Sequence, residues 1–303
     1  MFATMTADDR IYEIYEVAEL TGLAPARLRA WERRYALVRP ERQANRYRAY
    51  SARQVALLRA YARLIQSGGR IGTLVKEPVD VVIARADARD QDGTAIGAYL
   101  VAVERLDQAT MQQILETQLR HLGLAGLCQQ VVLPLAELVG DRWALGTLPV
   151  ALEHFASETV VATLKRALES AARSAGPTLL AACLSGERHE WGVLSALARA
   201  QAGGWRLSYL GPDLPITQFI EAAWRVKPAL VALSAADPAN VKRQLGELQI
   251  LARRMPDGTR LLAGGRGFAP HAAALRPSGI QLEEAEFPAA PPVAAAGRPS
   301  STH

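Results

Sequence analysis

The chain has 303 residues, half of them apolar, and a formal net charge of +5. This length allows two or three domains, and no apolar run in the sequence approaches the roughly 20 residues that a membrane-spanning helix needs, so no membrane partner is expected. Cys128 and Cys183 stand outside any CxxC pair, which argues against a disulfide framework or a zinc site and favours buried thiols in a reducing cytoplasm.

The positive charge is concentrated at the start of the chain. Residues 1–78 contain 14 Lys and Arg against 8 Asp and Glu, whereas residues 79–303 contain 21 against 22. A small domain that carries the whole positive excess indicates a polyanionic partner for that domain.

Residues 11–78, after a segment at 1–10 that we expect to be disordered, are predicted to form a winged helix-turn-helix. Two short helices are predicted around Gly22, with Pro25 in the first turn of the second, and Ser51 should cap the helix that follows. Between the second helix and Ser51 lies an Arg- and Tyr-rich stretch that is typical of a wing contacting DNA phosphates. Such a run can also be a solvated charged face. The predicted contacts to double-stranded DNA are Arg27, Arg29, Arg33, Arg34, Arg42, Arg46, Tyr47 and Arg48.

Residues 88–172 show helical apolar spacing with few turn residues, which predicts a bundle of the four-helix type. Within it, Thr147 is expected to cap a new helix. A Glu-His pair then follows Trp143 after nine intervening residues. Three side chains at positions i, i+3 and i+4 of the new helix should share one face, and these are Val150, Glu153 and His154.

From residue 176 to 285 short apolar runs alternate with helical segments, which predicts a doubly wound parallel sheet and so a multidomain α and α/β protein. The predicted strands are 179–184, 206–210, 229–233, 260–263 and 280–283. The predicted helices lie near 190–203, 215–226, 240–255 and 269–276. The Ala- and Pro-rich stretch at 288–303 is expected to be a disordered tail.

One histidine lies where such a sheet binds ligands. His189 follows the first predicted strand, and ligands of doubly wound sheets bind at the carboxyl ends of the strands. An imidazole there can bind a metal through one ring nitrogen while an acidic neighbour holds the other, although a lone His on a loop is more often a surface or capping residue. No catalytic triad, P-loop or paired-carboxylate site is evident, so no enzymatic turnover is expected.

The basic domain resembles the winged-helix DNA-binding domain of the MerR family over about 65 residues. The matching stretches are Val17-Ala18-x-Leu20-Thr21-Gly22, Leu28-Arg29-x-Trp31-Glu32-Arg33 and Arg46-Tyr47-Arg48-x-Tyr50-Ser51. The wing has Ala44-Asn45 where the family usually has a Gly turn. MerR proteins bind DNA as dimers, often through a long coiled coil, and no such heptad run follows here. Assembly is therefore expected to come from the C-terminal region.

The loop around His189 resembles the DxHxxG signature of cobalamin-binding Rossmann-like domains, with Glu187 in place of Asp and Gly192 at the last position. The resemblance implies that His189 is the lower axial ligand of cobalt. It also implies that Gly264-Gly265 lets the nucleotide tail of the cofactor lie close to backbone, where a Cβ would collide with it. Ser234-Ala235-Ala236 matches the intervening S-x-L/T element only loosely.

The middle segment, with Trp143 and Glu153-His154, resembles the W-x9-EH motif of B12-dependent photoreceptor repressors, the CarH/LitR group, and the three motifs together cover residues 11–285. The resemblance implies that 5′-deoxyadenosylcobalamin lies between the bundle, whose motif face would contact the adenosyl group, and the Rossmann-like domain. It also implies a homo-oligomer, commonly a tetramer, that represses in the dark and releases DNA in light.

One position departs from that group: Ala144 stands where many members have a His that binds cobalt after photolysis. We therefore expect that the illuminated protein does not reach the usual bis-His state. Three alternatives follow: a cobalamin-dependent repressor that does not use light, a corrinoid methyl carrier, and a MerR-type regulator whose Rossmann-like domain is empty or binds another pigment. The fused DNA-binding domain argues against the methyl carrier.

Overall fold

A computed structural model describes residues 11–42, 47–91, 94–170, 175–283 and 287–291. These residues group into two compact units. Unit 1 contains residues 11–118 and Pro134–Thr159, and unit 2 contains Leu119–Leu133 and the chain from Val160 onward. The helices of the predicted bundle at 88–172 are therefore divided between the two units.

Unit 1 begins with the predicted helix-turn-helix. Helix α1 (Ile14–Thr21) ends at Gly22, whose φ of +66° is a left-handed backbone that glycine adopts without strain. Helix α2 (Pro25–Tyr35) starts with its proline in the first turn, where the missing N–H has no helical partner to lose. Leu28 and Trp31, on the apolar side of α2, pack into the hydrophobic core of this unit.

A small antiparallel sheet in the order β1-β3-β2 flanks these helices along the chain. Its strands are β1 (Ile11–Tyr12), before α1, and β2 (Glu41–Arg42) and β3 (Arg48–Ser51), after α2. The pairing of β2 with β3 makes the predicted wing a hairpin. Ser51 caps α3 (Ala52–Gln66), as predicted: its side chain accepts a hydrogen bond from the backbone N–H of Gln54 at 3.3 Å.

The rest of the first half is helical. The remaining helices up to the sheet domain are α4 (Ile71–Leu74), α5 (Val79–Gln91), α6 (Ala95–Glu104), α7 (Gln108–Leu127), α8 (Leu133–Leu145) and α9 (Val150–Ser170). The chain from α7 to α8 runs through a π-helical segment, Cys128–Val132.

That run, Gln108–Leu145, is long and apolar enough by length and composition to cross a membrane, which corrects the expectation that no segment is. One third of its most apolar window is buried within the protein. The backbone is also non-helical at Gly123, with φ +68° and ψ +173°. Because core helices of soluble proteins pass the same test, this single run does not indicate a membrane protein.

Unit 2 is built on a five-stranded sheet in the order β5-β4-β6-β7-β8, in which every neighbouring pair is parallel. The strands are β4 (Thr178–Cys183), β5 (Arg206–Tyr209), β6 (Leu230–Ser234), β7 (Arg260–Gly264) and β8 (Ile280–Leu282). The helices are α10 (Trp191–Ala202), α11 (Ile216–Val226), α12 (Pro238–Arg243), α13 (Leu245–Arg254) and α14 (Ala272–Leu275). The doubly wound prediction is confirmed, and the helix predicted at 240–255 is two helices that meet at Gln244.

The predicted disordered tail differs from the structure at its beginning. Trp205, which is 1% exposed, donates its indole N–H to the Pro288 carbonyl at 2.7 Å, and the Ala290 N–H donates to Gly203 O at 3.0 Å. A buried indole needs a hydrogen-bond acceptor, and this segment supplies it. Residues 1–10 and 292–303, also predicted to be disordered, lie outside the described residues.

Candidate functional site

The recognition helix α2 presents basic side chains to solvent. Arg27, Arg29, Arg33 and Arg34 are exposed, while Leu28 and Trp31 on the opposite side are buried. Among the other predicted DNA contacts, Tyr47 is 63% exposed at the wing. Arg46 and the side chain of Arg42 lie outside the described residues.

Glu32 joins the wing to the recognition helix, and sequence reasoning gave it no role of its own. The Glu32 carboxylate accepts hydrogen bonds from Arg48 Nε at 2.8 Å and from the Tyr50 hydroxyl. Burial and the neighbouring Glu32 carboxylate both raise the pKa of Tyr50, so this phenol stays protonated and donates. Arg48, predicted as a DNA contact, therefore has a second role, because its guanidinium holds β3 against α2.

In unit 2 the predicted metal-binding histidine sits on a loop that a buried carboxylate organises. Glu187 is 2% exposed, and its Oε1 lies 2.6 Å from His189 Nδ1 and accepts from the His189 backbone N–H at 2.8 Å. Its Oε2 accepts from Ala236 N–H, in the loop after β6, at 2.6 Å. The His189 side chain itself is 73% exposed. One acid thus orients the imidazole and links two neighbouring loops.

The charge of Glu187 is maintained by the same contacts. Burial acts to raise the pKa of Glu187, but the hydrogen bonds and charge of His189 and the N–H of Ala236 outweigh it and leave that pKa below its ordinary value. Glu187 is therefore an ionised carboxylate that favours a proton on His189 Nδ1. This is the arrangement in which metal-binding histidines are held by an acidic neighbour.

Three residues that the sequence did not single out form hydrogen bonds to this loop. The Ser185 carbonyl accepts from Asn240 Nδ2 at 2.9 Å and from Gln244 Nε2 at 3.0 Å, and Gly186 N–H donates to Asp213 at 2.6 Å. These partners lie 27 to 59 residues away along the chain, so no local motif predicts them.

A second polar network lies beside the loop. Glu190, 8% exposed, accepts from Lys165 Nζ at 2.9 Å and from the Tyr209 hydroxyl at 2.7 Å. The Tyr209 hydroxyl lies 3.7 Å from the Sγ of Cys183, whose pKa is raised to about 12 by burial. Both cysteines are buried free thiols, as predicted.

A cavity of about 190 Å³ opens beside this loop, between α10 and the carboxyl ends of β6 and β7. Four residues predicted from separate motifs line it, and these are Gly192, Ser234, Gly264 and Gly265. Its wall includes an ion pair between Arg199 and Glu283. It also includes Ser195, a residue that is 1% exposed and whose hydroxyl lies beside the Cys128 thiol.

The two glycines of the Gly-Gly pair differ in how tightly the protein's own atoms surround them, and the role inferred from the sequence, room for a nucleotide tail, stays a prediction. A Cβ at Gly264 would collide with the Glu283 carboxylate. A Cβ at Gly265 would lie 2.5 Å from the carbonyl oxygen of Ala235, and φ there is +90°. Close packing of the loops after β6 and β7 therefore excludes a side chain at Gly265, whereas at Gly264 the clash is with the end of a side chain that can move.

We predict that Gly265→Ala lowers the free energy of unfolding by about 3 kcal/mol or more, because left-handed strain and the clash with Ala235 add. Gly211→Ala is the matched control: φ is +98°, but no atom lies within 4 Å of the added Cβ, so it should cost only about 1–2 kcal/mol. Chemical denaturation of both variants measures the difference. Equal losses would show that packing after β7 does not matter.

The four residues of the predicted upper-face motif all lie in unit 1. Trp143 is half-buried on α8, whereas Val150 (52%) and the His154 side chain (74%) are exposed near the start of α9. Glu153 lies 3.6 Å from His154 Nδ1. The predicted cap at Thr147 is wrong: its hydroxyl donates to Arg142 O at 3.2 Å. The first turn of α9 instead hydrogen-bonds to the Pro149 carbonyl, which closes the turn without a side-chain cap.

Ala144 is partly buried and packs against an apolar cluster of Ala56, Ile83 and Leu145. A methyl group completes this cluster, whereas an imidazole at position 144 would have to place a polar ring against it. The apolar surroundings of position 144 therefore suit the Ala found here better than the usual His.

Comparison with known proteins gives two family matches. The MerR HTH family regulatory protein model matches residues 12–76, and the B12 binding domain model matches residues 96–168. The HTH-type transcriptional repressor CarH of Myxococcus xanthus is 31% identical over 288 residues, which cover 92% of this chain and 96% of CarH. CarA of the same organism is 32% identical over 278 residues, 89% of this chain and 92% of CarA.

A solved structure supports the fold of the cobalamin-binding part. The monomethylamine corrinoid protein of Methanosarcina barkeri superimposes with a TM-score of 0.51 at 15% identity, over 62% of this chain and 91% of that chain. The curated relatives that match over nearly the whole chain are transcriptional repressors rather than enzymes. This chain belongs to the family of MerR-type transcriptional repressors with a B12-binding domain that includes CarH and CarA.

Proposed function

We propose that this protein is a light-responsive, cytoplasmic transcriptional repressor that binds 5′-deoxyadenosylcobalamin through His189 and changes its oligomeric state and DNA binding on illumination. The observation that carries the proposal is the oriented imidazole at the edge of the parallel sheet. With Glu187 at 2.6 Å from Nδ1, Nε2 is the ring nitrogen that would bind cobalt.

The residues present fit such a cofactor. A corrinoid held by His189 would bring a nucleotide tail with it, and the neighbouring cavity of about 190 Å³ would be available for that tail. A cavity of about 150 Å³ already holds an aromatic ring such as benzene. The Ser195 hydroxyl, buried in its wall, and Ser234 would supply polar contacts to the tail. Gly192, Gly264 and Gly265 would let it approach backbone.

The remaining motif residues would contact the adenosyl group. Val150, Glu153 and His154 would offer an apolar contact and hydrogen-bonding groups to the adenosyl group, and Trp143 would pack beside it. When bound, adenosylcobalamin supplies a cobalt–carbon bond that light can break. Exposed Val150 and His154 are free of core packing, so their contacts can change with the state of the ligand.

DNA binding in this proposal depends on assembly. The Arg side chains of α2 and the wing contact one half-site, and two heads joined in a homo-oligomer, a dimer or tetramer, bind two half-sites with an effective concentration that raises affinity by about 10²–10⁴-fold. Loss of assembly therefore lowers promoter occupancy even if each head is unchanged. To switch occupancy decisively, the ligand must favour the assembled state by about 5 kcal/mol.

Ala144 favours a second candidate, a cobalamin-binding repressor of the same family that does not respond to light. With a methyl group at position 144, packed against Ala56 and Ile83, the chain has no imidazole there to bind cobalt after photolysis. The two functions share His189 and the DNA-binding head and differ only in the response to illumination.

Size-exclusion chromatography with adenosylcobalamin, in darkness and after green light, tests both candidates. The proposal predicts that a coloured oligomer elutes in the dark and a smaller species after illumination, with an absorption spectrum that lacks the bis-imidazole form. An oligomer that persists in light with unchanged DNA affinity would favour the second candidate. Protein that stays colourless with cobalamin would contradict both.

A further inference from the structure

A buried carboxylate in unit 1 takes part in neither site described above. Asp141, on α8, is 4% exposed and accepts hydrogen bonds from two arginines of α3: Arg59 Nη1 at 2.9 Å and Arg63 Nη1 at 3.0 Å. Arg59 itself is only 9% exposed. The partners are 82 and 78 residues apart in sequence, so this contact joins the DNA-binding head to a helix of the B12-binding region.

The cluster reaches the helix-turn-helix itself. Arg59 Nε donates to the carbonyl of Leu20 at 2.8 Å, in the last turn of α1 just before the turn that leads to the recognition helix. One turn further along α8, the Leu145 carbonyl accepts from Arg53 Nη1 at 3.1 Å. Helix α3 is thus fastened to α8 at two points, and one of its arginines also holds α1.

Because its charges are buried, this contact favours one relative arrangement of α3 and α8. A buried ion pair is often no more stabilising than apolar side chains of the same volume, because both charges lose their hydration. Its hydrogen bonds, however, are satisfied in one arrangement only, so it selects that arrangement over others with similar packing. The same short stretch of α8 carries Trp143, two residues from Asp141.

We propose that Asp141 is a positioning residue: it fixes the DNA-binding head against α8 and so sets the distance between half-sites that an oligomer of this chain can bind. The inference rests on the proposed function in one respect, that the heads are carried by an oligomer assembled with cobalamin. A DNA-binding head that could rotate relative to α8 would bind operators with many half-site spacings, whereas a head held in one orientation binds operators with few.

The test compares wild type with Asp141→Asn on DNA duplexes with different half-site spacings. An operator is first selected from a random-sequence library with the dark, adenosylcobalamin-loaded wild type, and half a helical turn (about 5 base pairs) is then inserted between its half-sites. Wild type should lose at least tenfold in affinity on the altered duplex. For Asp141→Asn the two duplexes should differ by less than about twofold, while cofactor absorbance and elution volume stay those of wild type.

Two further variants keep the result interpretable. Arg63→Gln removes one of the two bonds and keeps Arg59 on Asp141, so it should fold and show an intermediate spacing preference, and it decides the question if Asp141→Asn does not fold. Glu77→Gln, which removes an exposed ion pair with Arg85 in the same unit, should keep the preference of wild type. A uniform loss of affinity on both duplexes, with the tenfold preference intact, would mean a merely structural role and overturn the inference.

The proposed function fails in a different way. If dark wild type with adenosylcobalamin remains monomeric, the proposed function is overturned and the role in half-site spacing falls with it. If wild type assembles and discriminates between the duplexes but Asp141→Asn and Arg63→Gln discriminate equally well, only the role of Asp141 is overturned.

Discussion

Replacing His189 with Ala is expected to weaken adenosylcobalamin binding by at least about 100-fold, because the only imidazole on the loop after β4 is lost. Glu187→Gln should weaken it by about 10–100-fold, the range seen when an acid that orients a metal-binding histidine is changed. In that variant the buried amide can no longer accept from every N–H that now surrounds the carboxylate. Absorbance retained by the protein after gel filtration, titrated against cofactor, measures both losses.

His121→Ala is the matched control for this experiment. His121 is an exposed histidine of the same unit, and it takes part in none of the proposed contacts. Its loss should leave cofactor uptake unchanged. If His189→Ala bound adenosylcobalamin as tightly and with the same colour as wild type, the proposed ligand would be wrong, and the chain would remain a MerR-type repressor whose B12-binding domain uses another residue.

Replacing Asp141 with Ala is expected to lower the free energy of unfolding of unit 1 by about 3–5 kcal/mol, the cost of leaving a buried partner charge uncompensated. Arg59 would then keep its charge at 9% exposure with only the Leu20 carbonyl as a strong acceptor at this site. For a unit of this size the loss corresponds to about 10–17 °C in the thermal transition of unit 1, followed by circular dichroism.

The control for this loss is the exposed pair of Glu77 with Arg85, whose side chains are 25% and 50% exposed. Glu77→Ala should cost no more than about 1 kcal/mol, because water replaces most of the interaction. A drop in melting temperature for Asp141→Ala no larger than that of the control would show that the buried cluster adds nothing to stability.

Much of the fold follows from local sequence pattern. Strands such as β4, buried along its whole length, appear as unbroken apolar runs because both faces of a parallel sheet are covered. The two helices around Gly22 and the Ser51 cap follow from residues that prefer those backbone positions. The Thr147 cap failed because α9 begins only at Val150, which leaves Thr147 too far upstream to accept from its first turn.

The site residues also divide into those that local motifs identify and those that they do not. Short motifs name His189 and Gly265 because spacing within a loop is enough to place them. They do not name Asp141 or Asn240, and they do not show what Glu32 binds, because the partners of these three residues lie far along the chain. A buried charge meets its partner only after helices and strands have packed, and no periodicity within one segment records which distant residue that will be.

By itself, therefore, the sequence determined the class of each segment, the basic DNA-binding head, and the loop that presents an imidazole at the edge of a parallel sheet. Only the tertiary structure decided that Gly265 excludes a side chain because of the Ala235 carbonyl, and that Asp141 fastens α8 to the head. Local backbone preference and hydrophobic period act over a few residues, whereas steric exclusion and the pairing of buried charges arise from packing between distant ones.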